Sequence, residues 1–226
     1  MNSVIGILGL GVRSTNFYTQ QLHTKMHKHF GGYHTFPFLN YQIDFNRLNP
    51  YLPNNFEKLE PALIKILEEI NPLKIQRWLI PNITLHETLD RINHHLSLFH
   101  PVELAIENCI KKNIKSVVIL GTNYSMESNY LASNFNKNDI SIIKISKDDK
   151  AFVDQLRIKI YNAQETKTDI KNYNTLIQKY TQNSHAIIAC TELSLLSDSI
   201  NNNKILDLAQ LQISEAFQFY LEVNRM

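Results

Sequence analysis

His185-Ala186-Ile187-Ile188-Ala189-Cys190-Thr191-Glu192-Leu193-Ser194-Leu195-Leu196 reads as a buried strand that ends on a thiol, with a turn or helix following at once. Ala186 to Ala189 carry no polar side chain, the pattern of a strand with no face turned to water. In an open α/β sheet, ligands bind at the carboxyl ends of the strands. Of the two cysteines in the chain, Cys190 is the one such a strand would deliver to chemistry.

The same grammar recurs upstream. Ser3-Val4-Ile5-Gly6-Ile7-Leu8-Gly9 is a short apolar run ending in glycine, followed by Gly9-Leu10-Gly11 and a helix expected to be capped at Ser14-Thr15. Phe17, Tyr18, Leu22 and Met26 give that helix an apolar stripe, and Gly31-Gly32 stops it. Tyr33 to Asp44 is extended, with Pro37 arguing against a central strand. Phe56, Leu59, Leu63, Ile66, Leu67 and Ile70 mark an amphipathic helix ended by Asn71-Pro72. Lys74 to Pro81 predicts a strand, running directly into Asn82-Ile83-Thr84-Leu85-His86 and a helix. Ser116 to Gly121 is the most strand-like run, followed by Thr122-Asn123-Tyr124-Ser125-Met126-Glu127. Helices are expected over 102–112, 128–135, 148–161, 171–180 and from Leu208 onward, with further strands over 140–145 and 204–206.

The alternation is βαβα throughout, so the class is α/β with mainly parallel sheets flanked by helices. Polar clusters fall at strand ends near residues 10, 83, 123 and 190. The stretches 74–86 and 181–193 resemble each other, which suggests two similar lobes split near residue 100. The expected division is residues 1–100 with 205–226 in one lobe and 101–204, carrying Cys190, in the other.

Composition narrows the function classes. The chain has 226 residues, 43% of them hydrophobic and 19% charged, as for a soluble globule with a sizeable core. A net charge of +2 gives no electrostatic case for nucleic acid or an anionic membrane. Two cysteines are too few for a disulfide scaffold and predict reduced thiols in the cytoplasm. The opening residues lack a basic region, and the seven-residue apolar run from Val4 is too short for a signal peptide or membrane span.

Ala189-Cys190-Thr191-Glu192-Leu193-Ser194-Leu195-Leu196 resembles the second catalytic-cysteine motif of the aspartate/glutamate racemase family, usually G-C-T-E-L-P-L-L. Gly121 to Glu127 is similar to the family's G-T-x-x-T-M-E, and Ile5 to Thr15 to its N-terminal glycine-rich segment. Ile43-Asp44-Phe45 resembles its V-D-F. Asn82-Ile83-Thr84-Leu85-His86 lies where the family has C-N-T-A-H or T-N-T-M-H. The resemblance implies two α/β lobes related by a pseudo-twofold axis, an active-site cleft between them, and commonly a homodimer. It implies proton transfer at the α-carbon of a small acidic amino acid without cofactor or metal. Three departures stand out: Asn82 replaces the first cysteine, Ile83 the following asparagine, and Asp207-Leu208-Ala209-Gln210-Leu211-Gln212 lacks the hydroxyl and histidine of D-T/S-x-x-(I/L)-H.

Racemisation needs a proton removed from one face of a carbon and returned to the other. A thiol near a helix N-terminus is expected to have a lowered pKa suited to this work. Backbone N–H groups and hydroxyls would steady the carbanion; Gly11, Thr84, Thr122, Ser125, Thr191 and Glu192 are the expected substrate-binding positions. Asn82 does not titrate usefully. The second face therefore falls to His86, to a held water, or to no group at all. The leading expectation is a one-sided racemase or epimerase of aspartate or glutamate, with Cys190, the Asn82 position and His86 as its catalytic positions. The alternatives are a single-cysteine decarboxylase or isomerase of the same superfamily, and an inactive relative that binds a small dicarboxylate. Taken alone, Cys190 is better explained as a buried structural thiol, and Glu192 as a charge complementing a helix dipole. His100 reads as a loop residue and Cys109 as core. His23 and His27, at i and i+4, lack a third ligand for zinc and read as a solvated face. Gly6, Gly9 and Gly11 lack dinucleotide-binding spacing.

Overall fold

The computed structural model describes residues 5–200 and 202–224. The apolar start of the chain forms β1 (Ile5–Gly9), every residue buried, and runs into α1 (Val12–Phe30). The cap differs from the expectation: Gly11, in extended conformation, precedes the helix, while Ser14 and Thr15 lie inside it. They still tie the turn, because Thr15 Oγ1 accepts from Leu10 N–H at 3.1 Å and Ser14 Oγ donates to the Gly11 carbonyl. Gly31, with φ at 70°, ends α1 in a conformation that side chains avoid.

β2 (Leu39–Gln42) follows, then α2 (Phe56–Ile70), β3 (Arg77–Leu79) and α3 (Leu85–Arg91). The first sheet is parallel in the order β2-β1-β3, so the strand that follows Pro37 is an edge strand, as proline requires. Gly6 pairs with Trp78, and a Cβ at Gly6 would sit 2.6 Å from the indole. Leu59, Leu63, Ile66 and Ile70 of α2 bury one face against Leu8, Trp78 and Leu89.

The next stretch contains α4 (Pro101–Lys111), β4 (Ser116–Gly121), α5 (Asn123–Glu127), α6 (Asn129–Asn136), β5 (Ser141–Ile143), α7 (Lys147–Tyr161) and α8 (Lys167–Thr181). It closes with β6 (His185–Ala189), α9 (Thr191–Ser194), β7 (Ile205–Asp207) and the start of α10 (Leu208–Val223). The second sheet is parallel in the order β5-β4-β6-β7. β4 and β6 are central and apolar; α7 and α8 cover them through Val153, Leu156, Ile160, Tyr173 and Ile177. Cys109, fully buried on α4, is core, and burial pushes its thiol up to about 11.

The chain separates into two compact units: residues up to His100 together with those from Gln212, and Pro101–Leu211. Residues 205–211, grouped with the first lobe in the sequence reading, fall in the second unit because β7 pairs in parallel with β6. No helix among the described residues is long and apolar enough to cross a membrane. Of the opening residues on which the leader-peptide reading rested, Met1 to Val4 lie outside the described residues.

Candidate active site

In the second unit the candidate residues gather at the carboxyl ends of β4 and β6. Gly121 and Ala189 are paired, so Thr122 and Cys190 leave neighbouring strand ends together. The approach is close: a Cβ at Gly121 would lie 2.9 Å from the Ala189 carbonyl oxygen. Thr122 caps α5, its Oγ1 accepting from Ser125 N–H at 3.0 Å and lying 2.9 Å from Ser125 Oγ. Ser125 is buried and Thr122 half-buried, so the pair presents two hydroxyls with one end open to solvent.

Cys190 caps the single turn of α9 and is 5% exposed. Its Sγ–H donates to Glu192 Oε2 at 3.0 Å, and Thr191 Oγ1 donates to the same oxygen at 3.4 Å. The lowered pKa expected of a helix N-terminus is not found. Burial first, then the adjacent Glu192 carboxylate, push the thiol well above its ordinary value, and the N–H groups of Glu192 and Leu193 only oppose this. One turn of helix is too little dipole to offset a neighbouring anion. At rest, Cys190 is a thiol with a proton acceptor in contact.

Behind Cys190 stands a group that the motif reading noted only by position. Asp207, at the end of β7, accepts from Ser194 Oγ at 2.8 Å and from the N–H groups of Ala209 and Gln210, so it caps α10. Ser194 N–H donates to the Cys190 carbonyl at 3.2 Å while its hydroxyl donates to Asp207, which ties the thiol's turn to β7. Burial raises the Asp207 carboxyl to about 6 despite these donors. Its Oδ2 and the hydroxyl of Tyr173 are buried without a partner among the described residues. Asp207 was legible as an acid between a strand and a helix, an N-cap signal.

In the first unit, Gly11, Asn82, Thr84 and His86 lie after the ends of β1 and β3. Asn82 Oδ1 accepts from Leu85 N–H at 3.0 Å, and the Asn82 carbonyl faces His86 Nδ1 at 3.0 Å. Asn82 therefore caps the start of α3 with its oxygen. Thr84 begins α3 and makes no capping bond through its side chain. His86 is fully buried, and burial lowers its pKa to about 3, with His100 adding to the shift. Its ring lies edge-on to His100 at 4.9 Å, and His100 is itself buried, 3.3 Å from Asp90. Burial withdraws His86 from the solvent-facing proton shuttle that the sequence allowed; His100 lies in a loop, as read, with its side chain buried. Among the described residues no group of three or more His, Cys, Asp or Glu is placed to hold a metal. His23 Nδ1 accepts from Phe36 N–H at 3.1 Å, a fastening between α1 and the following segment.

No family model and no curated protein matches the chain. Solved structures do. A candidate Asp/Glu racemase from Yersinia pestis superposes with a TM-score of 0.81 at 20% identity, over 97% of this chain and 99% of that one. An aspartate racemase homologue from Pyrococcus horikoshii gives 0.75 at 16%, over 97% and 99%. The aspartate racemase of Picrophilus torridus gives 0.72 at 16%, over 95% and 94%. This is the fold of the aspartate/glutamate racemases. The racemase fold thus spans nearly the whole chain, and the resemblance seen in short motifs extends to the order of its sheets and helices.

Proposed function

We propose that the protein is a cofactor-independent racemase or epimerase of an acidic amino acid, aspartate or glutamate, working chiefly from one face. The observation that carries this reading is the contact between Cys190 Sγ and Glu192 Oε2 at the end of β6, in a chain with the racemase fold. The thiol passes its proton to the Glu192 carboxylate, and the thiolate takes the α-proton. The C–H bond breaks, S–H forms, and the electron pair is left delocalised into the substrate carboxylate. Hydroxyls of Thr122, Ser125 and Thr191, with N–H groups of the α9 turn, hold that carboxylate as its charge grows. Return of the proton from Cys190 restores the same enantiomer; return from water on the other face inverts it, and the hydroxide so formed is neutralised by the proton held on Glu192.

The one-sidedness follows from the first unit's residues. Asn82 has no titrating group, and His86 is a buried neutral ring with its Nδ1 engaged. In this reading Asn82 and Thr84 bind substrate and do not exchange protons. The resemblance also supports a homodimer, and the two free cysteines a cytoplasmic setting.

The protonated resting state of Cys190 favours one second reading, a single-cysteine decarboxylase or isomerase. A carbanion made by loss of CO2 needs only one proton, delivered by a thiol. Incubation in D2O with each enantiomer of aspartate and glutamate, followed by NMR, separates the readings. α-Proton exchange with one enantiomer, lost in Cys190→Ser, is the expected result. No exchange with any of the four overturns the racemase. Thermal stabilisation by aspartate without exchange would identify a binding protein.

A further inference from the structure

Tyr18, His86, Phe99 and Gln212 come from four separate stretches of the first unit, and all four are fully buried. Gln212 stands between the others. Its Nε2 is 2.6 Å from the Phe99 carbonyl and 3.5 Å from His86 Nε2, and its Oε1 is 2.5 Å from the Tyr18 hydroxyl. The chemistry of these partners fixes every proton. A backbone carbonyl only accepts, so the atom facing Phe99 is the amide nitrogen, and Oε1 must accept from Tyr18. The Asn82 carbonyl also only accepts, so His86 carries its proton on Nδ1. That leaves His86 Nε2 as a bare acceptor facing the Gln212 amide. Donation then runs one way, from Gln212 to His86 to the Asn82 carbonyl.

We propose that Gln212 is a positioning residue: from α10 it orients His86 and, through His86, the turn that presents Asn82 and Thr84. An apolar side chain of the same length would fill the space but remove the hydrogen bonds that Gln212 makes to the Tyr18 hydroxyl, the Phe99 carbonyl and His86 Nε2, all in a buried setting. Within the turn, Asn82 Oδ1 accepts from Leu85 N–H while Thr84 makes no side-chain cap, so His86 is its link to Gln212 on α10. That the turn belongs to a substrate site rests on the racemase reading; the hydrogen-bond chain does not.

The test uses full-length protein, wild type and Gln212→Met, with 15N-labelled histidine and amide exchange read by NMR. In the wild type, His86 is expected protonated at Nδ1, with Nε2 showing the shift of a hydrogen-bonded bare nitrogen. A wild-type His86 protonated at Nε2 overturns the proposal. In Gln212→Met, Nε2 should move to the shift of an unbonded nitrogen. Exchange of the Leu85 amide, which Asn82 Oδ1 accepts, should quicken by on the order of ten-fold, about one hydrogen bond's worth. Amides of β6 in the second unit should not change. Equal loss of protection in both units would mean general destabilisation and overturn the positioning role. If Gln212→Met does not fold, Tyr18→Phe, which frees Oε1, should act in the same direction by a smaller factor; an unchanged Leu85 amide there also overturns it. With an amino acid that turns over, KM should rise about five- to ten-fold with kcat little changed, as for loss of uniform binding; an unchanged KM removes the catalytic relevance. Absence of turnover with any amino acid defeats the racemase reading and leaves the NMR result standing.

Discussion

Cys190 Sγ and Glu192 Oε2 are 3.0 Å apart, and the thiol is the donor. Burial first, and then this contact, keep the thiol protonated although it begins a helix. In the proposed mechanism Glu192 takes up the thiol's proton, a part beyond complementing a dipole.

Removing the Glu192 charge removes the second-largest cause of the raised Cys190 pKa. In Glu192→Gln the thiolate should form at lower pH, so alkylation by iodoacetamide should reach half its limiting rate at lower pH than in the wild type. α-Proton exchange should fall at the same time, by roughly 10²–10⁴-fold, the range for loss of an acid–base partner. Alkylation that shifts to higher pH would refute the assignment of Glu192 as the thiol's acceptor.

His86 gives a second prediction. Its folded pKa, about 3, lies below the ordinary 6.5, so the unfolded chain takes up the proton first. Its stabilising contribution is present above pH 6.5 and is lost as pH falls through the window down to about 3, at up to about 1.4 kcal/mol per pH unit. Urea midpoints of the first unit should decline from pH 7 to pH 4, and the ring's NMR signals should not titrate over that range. A His86 that titrates near 6.5 in the folded protein would contradict the buried neutral ring.

Asp207 acts with the opposite sign. Its folded pKa, about 6, is above the ordinary 3.8, so its contribution is greatest below pH 3.8 and is lost as pH rises through 6. Asp207→Asn, which keeps a capping oxygen, should remove that downward drift. Asp207→Ala should cost the cap, about 0.5–2 kcal/mol, and free Ser194 from its partner. Denaturation of both variants at pH 4, 5, 6 and 7 checks the sign; equal pH dependence in Asn and wild type would discount the buried carboxyl.

The fold was largely legible because short apolar runs alternate with amphipathic helices, and that pattern belongs to α/β sheets. α2 follows its stripe of leucines and isoleucines from Phe56 to Ile70, and β4 its valines and isoleucine. Ends were less legible. The α1 cap sits at Gly11 because Thr15 bonds backwards to Leu10, a detail that residue type alone does not encode. In the candidate site, Cys190, Thr122 and Ser125 announced themselves by standing at strand ends. Two things did not. The Cys190 ionisation depends on which carboxylate its turn brings near, and the role of Gln212 depends on neighbours at positions 18, 86 and 99. Contacts made across such sequence distances leave no local pattern to read.

Gly121→Ala tests the geometry directly. The new methyl would meet the Ala189 carbonyl at 2.9 Å and Ser125 Cβ at 3.2 Å, both on the elements that carry the candidate residues. Overpacking of this kind costs about 1–3 kcal/mol. Thermal melting should show that loss, and α-proton exchange should fall although no candidate side chain has been changed. Unaltered exchange would show that the Thr122–Ser125 pair is not held by this contact.

Trp78, seated over Gly6 in the first sheet, is the only tryptophan in the sequence. The chain therefore carries a natural optical label on one of its two compact units. Its emission follows the β1–β3 pairing that leads to the Asn82 turn, and contains no direct signal from the strands that carry Cys190. Far-ultraviolet dichroism, to which both units contribute, gives the companion trace. If the two traces part during denaturation, the halves melt as separate cooperative blocks; if they coincide, the whole chain unfolds as one.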